Sequence, residues 1–182
     1  MTGNPRPARG ALAHAMKNHH DDIARELLEQ GADPNDIDYY KDPFKRSALI
    51  YAITCHFTEL VEKLLDLGAD PNLTDGDGET PVMHAVHMSS TDILGLLIDR
   101  GARTDQKNVY GFTALHFAED NPNDNREELV QLIRHAQEMQ KSLAAEKAAA
   151  EAREKTVATY HDTAAKRQEL LKNLRPKMAR PS

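Results

Sequence analysis

Apolar residues recur at helical spacing in short clusters along residues 10–118. One kind of cluster pairs a leucine or valine with an alanine three positions later, which puts a narrow apolar stripe on one helix face. A second kind carries aliphatic residues at helical spacing ahead of a glycine, such as Leu60, Val61, Leu64 and Leu65 before Gly68. Because glycine tolerates the left-handed conformation that ends many helices, the pattern predicts pairs of short helices closed by glycine. The leucine or valine pairs are Leu12 with Ala15, Leu49 with Ala52, Val82 with Ala85 and Leu115 with Ala118.

These helix pairs repeat at a nearly constant spacing. A Gly-Ala-Asp tripeptide begins at Gly31, returns at Gly68, and returns again as Gly-Ala-Arg at Gly101, with spacings of 37 and 33 residues. The longer spacing comes from four extra residues in the loop after Asn35. A second anchor opens each copy, at Gly10, Ser47, Thr80 and Thr113. A fixed period of this length is typical of a stacked repeat protein.

The copies resemble the ankyrin repeat, a unit of about 33 residues with a β-turn, two helices and a Thr-Pro-Leu-His-x-Ala signature. The fourth copy, residues 113–118, matches best and is the one with histidine, His116, at the signature position. Ala13, Ile50 and Met83 occupy that position in the other copies. The resemblance implies an all-α ankyrin-repeat solenoid of four helix-turn-helix repeats, with His116 hydrogen-bonded inside the turn framework. Stacking is required because one repeat cannot bury its apolar face alone.

The repeats predict four segments of chain. We expect an N-terminal arm at 1–9, a repeat domain at 10–136, a C-terminal helical extension at 137–175 and a basic tail at 176–182. Within the domain, the repeats are expected at about 10–42, 43–75, 76–108 and 109–136. The fourth repeat departs from the pattern, because residues 121–125 form a lengthened polar break and no glycine closes its second helix.

A long helix is predicted at the C-terminal end of the fourth repeat, because no glycine ends its second helix. No Gly or Pro occurs between Arg126 and Pro176, and residues 144–152 are rich in strong helix formers, so roughly 50 residues of continuous helix are expected. Heptad spacing brings apolar residues to one seam, although the seam is weak in its middle. Two interpretations remain open: the helix pairs with another helix, or it folds back to cap the last repeat. The candidate pairing residues are Leu143, Ala150, Val157, Tyr160, Leu171 and Leu174.

Composition and charge exclude several classes of protein. No apolar run is long enough to span a membrane, and the single cysteine, Cys55, allows no intramolecular disulfide, so we expect a reducing, cytoplasmic location. Residues 1–140 contain 13 Lys and Arg against 24 Asp and Glu, a balance of −11, whereas residues 141–182 contain 10 against 5, a balance of +5. An acidic repeat domain predicts neither a nucleic-acid partner nor a membrane partner.

Candidate catalytic and metal-binding patterns are sparse. His84 and His87 have the spacing of a metal-binding pair, but no third ligand is evident in the sequence. The segment from Asp70 to Gly78 superficially resembles a calcium loop, yet it lacks the glycine and glutamate that such a loop requires. No phosphate-binding, dinucleotide-binding or hydrolase motif occurs. The sequence therefore predicts no enzyme, no cofactor and no metal.

The surface offers more candidates. The resemblance implies that a partner protein binds the concave side, which consists of turn tips and the exposed ends of the first helices. The lengthened loop at 36–44 adds three aromatic residues that have little core to fill. The candidate partner-binding residues are Arg9, Tyr39, Tyr40, Phe44, Arg46, Asp77, Glu79, His87, Met88, Tyr110, Phe112 and Asp120.

The predicted function is that of a non-catalytic scaffold that docks another protein, one with a basic patch, and masks that partner's surface. The first alternative is an adaptor that forms a homodimer through the C-terminal helix. The second is a bacterial effector delivered into a host cell, with the basic tail, which includes Lys177 and Arg180, as its export signal. This second alternative rests on analogy with the family alone.

Overall fold

Eight α-helices dominate the residues that the computed structural model describes, which are 7–38 and 42–173. In chain order the helices are α1 (Ala11–Lys17), α2 (Asp21–Glu29), α3 (Ala48–Thr54), α4 (Thr58–Asp66), α5 (Pro81–His87), α6 (Thr91–Asp99), α7 (Ala114–Glu119) and α8 (Arg126–Asn173). This part of the chain contains no β-strand, and one isolated antiparallel bridge joins Ile37 to Ser47. The all-α fold class and the order of paired helices are confirmed. The chain divides into two units between Gln137 and Glu138.

Short polar side chains start the first helix of the later repeats. The hydroxyl of Ser47 accepts the Ile50 N–H at the start of α3, and the hydroxyl of Thr80 accepts the Met83 N–H at the start of α5. Each bond satisfies a backbone donor that has no partner within the helix. The repeated Ser or Thr anchor in the sequence therefore marks the N-cap of each first helix from the second repeat onward.

Glycine ends the second helices, as the sequence predicts. Gly68 has φ +92°, and its N–H donates to the carbonyl of Leu65 while the Ala69 N–H reaches back to the carbonyl of Leu64. The left-handed residue lets the chain leave α4 with its last carbonyls hydrogen-bonded. Gly31 and Gly101 repeat this conformation after α2 and α6.

A continuous core runs through the first unit. The first helices stack in order, since α1 contacts α3, α3 contacts α5, and α5 contacts α7. Alanine at their interfaces is fully buried, as at Ala52, Ala85 and Ala118. Small side chains let neighbouring helices approach, while the larger residues of the second helices, such as Leu64 and Leu97, fill the space between layers.

Two asparagines link successive repeats. The side-chain oxygen of Asn35 accepts the Asp70 N–H at 2.7 Å, and its amide donates to the carbonyl of Gly68. Asn72 repeats this arrangement one layer later, where it accepts the Arg103 N–H at 2.7 Å. The Pro-Asn pair that follows two of the glycines therefore hydrogen-bonds each repeat to the next.

The polar break before α8 is an ordered hydrogen-bonded loop. Asn121 is buried, and its amide donates to the carbonyl of Val86 at 3.1 Å and to the hydroxyl of Ser89 at 3.0 Å. The amide of Asn125 donates to the carbonyl of Ser89 at 2.6 Å. Asn121 therefore ties the loop to the preceding repeat.

Helix α8 begins inside the first unit. Leu129, Val130, Ile133 and Ala136 are buried, and the first three of them belong to the same apolar core as the earlier repeats. The guanidinium of Arg134 also lies 2.9 Å from the carboxylate of Glu119. These residues occupy the place of a second helix in the fourth repeat.

The second unit contains the rest of α8, residues 138–173. The helix is 48 residues long, close to the predicted length, and the side chains described in this unit are almost all exposed. Several are apolar, including Leu143, Val157 and Leu171 on the predicted seam. Leu174 and the tail 176–182 lie outside the described residues. Among the helices described, α8 included, none carries a stretch apolar enough to cross a membrane.

Candidate partner-binding surface

An exposed turn at residues 108–112 precedes α7. The side-chain oxygen of Asn108 accepts the N–H groups of Tyr110 at 3.1 Å and Phe112 at 2.9 Å, and the Asn108 N–H donates to the carbonyl of Phe112. Gly111 takes φ +84° at the turn. The closed turn presents Val109, Tyr110 and Phe112 to solvent, and Tyr110 is 68% exposed.

Aromatic rings continue from this turn onto the first helices. The ring centroid of Phe112 lies 5.9 Å from that of Phe117 and 5.8 Å from that of His116. Phe117 in turn lies 4.4 Å from His87, which is on α5 of the preceding repeat. We name His87, Tyr110, Phe112, His116 and Phe117 the aromatic patch. The rings of His87, Phe112, His116 and Phe117 contact one another across two repeats, whereas Tyr110 is held by its backbone hydrogen bond to Asn108.

His116 also holds the N-terminus of α7. Its Nδ1 lies 2.8 Å from the Thr113 hydroxyl and 3.3 Å from the Thr113 backbone nitrogen, which completes a capping box. This is the role inside the turn framework that the resemblance implies. The same ring therefore serves both the helix cap and the aromatic patch.

The predicted partner-binding residues fall into separate groups. Glu79 lies beside the aromatic patch, with a carboxylate oxygen 3.5 Å from Nε2 of His87, and the Asp77 carbonyl accepts the Val109 N–H. Met88 packs partly against the core, so it offers less surface than the sequence suggests. Arg9 is exposed just before the first repeat, at the other end of the stack, and Asp120 is exposed at the end of α7.

The lengthened loop ends in a further exposed aromatic residue. Tyr39 and Tyr40 lie outside the described residues, whereas Phe44 is exposed, with the guanidinium of Arg46 4.8 Å from its ring centroid. The Asp42 carboxylate accepts the N–H groups of Phe44 at 3.2 Å and Arg46 at 2.8 Å. Burial raises the pKa of Asp42, but the Arg46 N–H, the neighbouring Tyr51 hydroxyl, the Phe44 N–H and the charge of Lys17 together hold the pKa below its ordinary value.

A cluster of ionisable side chains lies in the third repeat, between the turn and α5. Nε2 of His84 is 3.0 Å from Oδ2 of Asp75 and 3.8 Å from Oε2 of Glu79, and the latter oxygen also faces His87. Burial raises the pKa of Asp75, but hydrogen bonds from His84 and from backbone N–H groups hold it below its ordinary value. Sequence spacing identifies the histidine pair but misses the carboxylates, because these reach the histidines only when the turn at 75–79 folds against α5.

Comparison with known families agrees with this architecture. A family model described as ankyrin repeats in three copies matches residues 3–75 and residues 49–144. The chain therefore belongs to the ankyrin repeat family. Ankyrin repeats generally mediate protein–protein interaction, and they are typically binding scaffolds without catalytic activity. A search of curated proteins found no match to the chain.

Proposed function

We propose that this protein is a non-catalytic scaffold that docks a partner protein through the aromatic patch. The observation that carries the proposal is the run of ring contacts from the exposed Phe112 through Phe117 to His87. Binding energy at protein interfaces concentrates in a few aromatic and arginine residues that fill pockets on the partner. Tyr110 and Phe112, both exposed and held by the Asn108 turn, are the anchors.

Charge supports a partner with a basic patch. The balance of −11 over residues 1–140 creates a negative field around the repeat domain. Glu79, Glu119 and Asp120 supply carboxylates from the same turns and first helices as the patch. Such a field steers a basic partner toward the aromatic anchors and weakens as salt rises. The mechanism is steric: the docked scaffold covers whatever surface the partner presents.

The test uses a matched pair of aromatic truncations. Partners captured from cell extract by the wild-type chain are purified and titrated against the double variant Tyr110→Ala/Phe112→Ala and against Tyr160→Ala, a control whose ring is exposed in the second unit. We expect the double variant to lose about 2 kcal/mol or more, roughly 30-fold in affinity, with the control unchanged. Equal affinity of both variants for every partner would overturn the proposal, provided that circular dichroism shows both to be folded.

The other partner-binding residues that the sequence predicts are tested in the same way. Arg9, Phe44, Arg46 and Asp120 are not members of the aromatic patch, so we propose that they contribute orientation more than affinity. Tyr39 and Tyr40 belong to the same proposal through their place in the lengthened loop. Single alanine variants are expected to change affinity by less than about 1 kcal/mol, in contrast to the anchors.

A second candidate function is self-association through residues 138–173. Leu143, Val157, Tyr160 and Leu171 are exposed on one helix at heptad positions, and Tyr160 is 74% exposed. A homodimeric coiled coil would bury them and make the protein an adaptor. Analytical ultracentrifugation of the wild type and of Leu143→Glu/Val157→Glu tests this: we expect a dimer that the double variant abolishes. If the wild type is a monomer at every concentration, self-association is not its function.

The bacterial-effector alternative is tested by translocation into a host cell and not by partner affinity. If the basic tail is an export signal, deletion of residues 167–182 stops translocation into a host cell while leaving partner affinity unchanged. If the tail serves binding instead, the same deletion lowers affinity for the partner.

A further inference from the structure

The third repeat brings two histidines and two carboxylates together beside α5. We propose that Asp75, Glu79, His84 and His87 bind one divalent transition-metal ion of the zinc type. Imidazole nitrogen and carboxylate oxygen are ligands that zinc accepts, usually four at a time in a tetrahedral arrangement. We name these four residues the His-carboxylate cluster.

The distances within the cluster suit one ion. Ligand atoms about 2.0 to 2.1 Å from a tetrahedral zinc ion lie about 3.3 to 3.4 Å apart. Nε2 of His84 is 3.0 Å from Oδ2 of Asp75 and 3.8 Å from Oε2 of Glu79, which is itself 3.5 Å from Nε2 of His87. Oxygen and nitrogen atoms from Asp75, Glu79 and His84 all lie within 4.8 Å of one another. The three pair distances that involve Nε2 of His84 or of His87 differ from this tetrahedral separation by less than about half an ångström, and His87 joins the group of three through its contact with Glu79.

The cluster is also held by its surroundings. The Asp75 side chain is 1% exposed, and its other carboxylate oxygen accepts the N–H groups of Asp77 and Glu79. His84 and His87 are three residues apart on α5, which puts both rings on one face of the helix. The Nε atom of Arg46 lies 3.8 Å from Oδ2 of Asp75, beyond hydrogen-bonding distance. The two carboxylates and the guanidinium of Arg46 together leave one net negative charge, which favours a cation.

The repeat architecture itself does not require this set of residues. Moving one repeat back, 33 residues, the equivalent positions hold Asp42, Arg46, Tyr51 and Thr54; moving one repeat forward, they hold Asn108, Phe112, Phe117 and Asp120. The first position closes the turn in all three repeats, because Asp42, Asp75 and Asn108 each accept the N–H groups two and four residues later. The ligand set of Glu79, His84 and His87 occurs in the third repeat alone.

A bound ion would connect the cluster to the aromatic patch. His87 belongs to both, with its ring 4.4 Å from Phe117. Coordination through Nε2 would hold this ring in one orientation and fasten the turn at residues 75–79 to α5. The expected consequence is a repeat domain that is more stable with zinc than without it, because a ligand that binds the folded state alone stabilises that state.

The test measures zinc itself, on the full chain without a polyhistidine tag. Isothermal titration with zinc chloride is expected to give one ion per chain, and a stoichiometric amount of zinc is expected to raise the thermal unfolding midpoint. Glu79→Gln and His87→Gln each remove one ligand at a partly exposed position, and both are expected to weaken zinc binding by about 10-fold to 100-fold or more. His161→Gln is the matched control, since it removes an exposed histidine in the second unit.

Cys55→Ser is the second control. The Cys55 thiol lies 3.9 Å from Nε2 of His19, so this pair is the competing place for an adventitious ion. We expect Cys55→Ser to bind zinc as tightly as the wild type, and cobalt in place of zinc to give visible bands without thiolate charge transfer. The proposal is overturned if zinc does not bind with one-to-one stoichiometry, if binding is lost in Cys55→Ser, or if Glu79→Gln and His87→Gln both retain wild-type affinity while folded by circular dichroism.

Discussion

The carboxylate of Asp36 caps helix α1 from the loop that follows α2. It accepts the Gly10 N–H at 2.6 Å, the Leu12 N–H at 2.9 Å and the Ala13 N–H at 3.4 Å. Gly10, the residue at the N-cap position, has no side chain to perform this task, and its φ is +81°. The first repeat therefore obtains its helix cap from a residue more than 20 positions away.

Loss of this distant cap is expected to destabilise the fold. Asp36→Ala leaves buried backbone donors without partners, and we expect it to lower the free energy of unfolding by about 2 to 3 kcal/mol. Urea denaturation followed by circular dichroism measures the change. Asp124→Ala removes an exposed loop carboxylate and is expected to cost less than about 0.5 kcal/mol. Equal stability of the two variants would show that the Asp36 hydrogen bonds contribute little.

Two glycines are expected to respond oppositely to alanine. A Cβ atom added at Gly76 would lie 2.9 Å from the carbonyl oxygen of Phe44, so Gly76→Ala forces backbone to move and is expected to cost about 1 to 3 kcal/mol. Gly95 lies within α6 with open space around its Cβ direction, and Gly95→Ala is expected to stabilise by about 0.5 to 1 kcal/mol. Thermal unfolding of both variants checks the two signs, and a stable Gly76→Ala protein would contradict this contact.

The turn between α3 and α4 carries avoidable backbone strain. His56 has φ +57° and an exposed side chain, and His19 and Ser89 take the same conformation in their own repeats. Because a side chain in the left-handed region costs about 1 to 2 kcal/mol, His56→Gly is expected to stabilise the protein by about 0.5 to 1 kcal/mol. His56→Ala keeps the Cβ atom and is the control variant, for which no gain in stability is expected. If both variants lose stability in urea denaturation, the imidazole itself must stabilise the turn.

Acid is expected to weaken the loop around Asp42. Its pKa is below the ordinary value of 3.8 in the folded chain, so the unfolded chain binds a proton more readily. The ionised carboxylate therefore contributes stability at neutral pH, and this contribution disappears as the pH falls below about 4 and through the folded pKa. The difference in unfolding free energy between wild type and Asp42→Asn should shrink from about pH 7 to about pH 2. A difference that stays constant across this range would show that the charge of Asp42 is not involved.

Local sequence patterns predict most of the fold because ankyrin repeats are stabilised by contacts between neighbours. The helix pairs, the left-handed glycines and the long α8 all follow from spacing, from N-cap residues such as Ser47 and Thr80, and from the absence of Gly and Pro after Arg126. These signals are local, since a helix start or stop depends on residues within one or two turns. The exposed turn residues Tyr110 and Phe112 are also local, because an Asn or Asp at the start of the turn directs them outward.

Contacts between repeats cannot be predicted from local sequence patterns. The Pro-Asn repetition is visible in the sequence, but its reason, a hydrogen bond that the Asp70 N–H of the next repeat donates to the Asn35 side chain, requires two layers to be stacked. In the same way, the polar run at 121–125 is visible in the sequence, but the hydrogen bond from the Asn121 amide to the Ser89 hydroxyl requires the loop to be folded onto the preceding repeat. The His-carboxylate cluster joins a turn to a helix face, so sequence spacing identifies both of its histidines as a metal-binding pair and neither of its carboxylates as a ligand. Periodicity predicts which elements form, whereas only packing brings together side chains that different elements carry, because a contact depends on distance in space and not on separation along the chain.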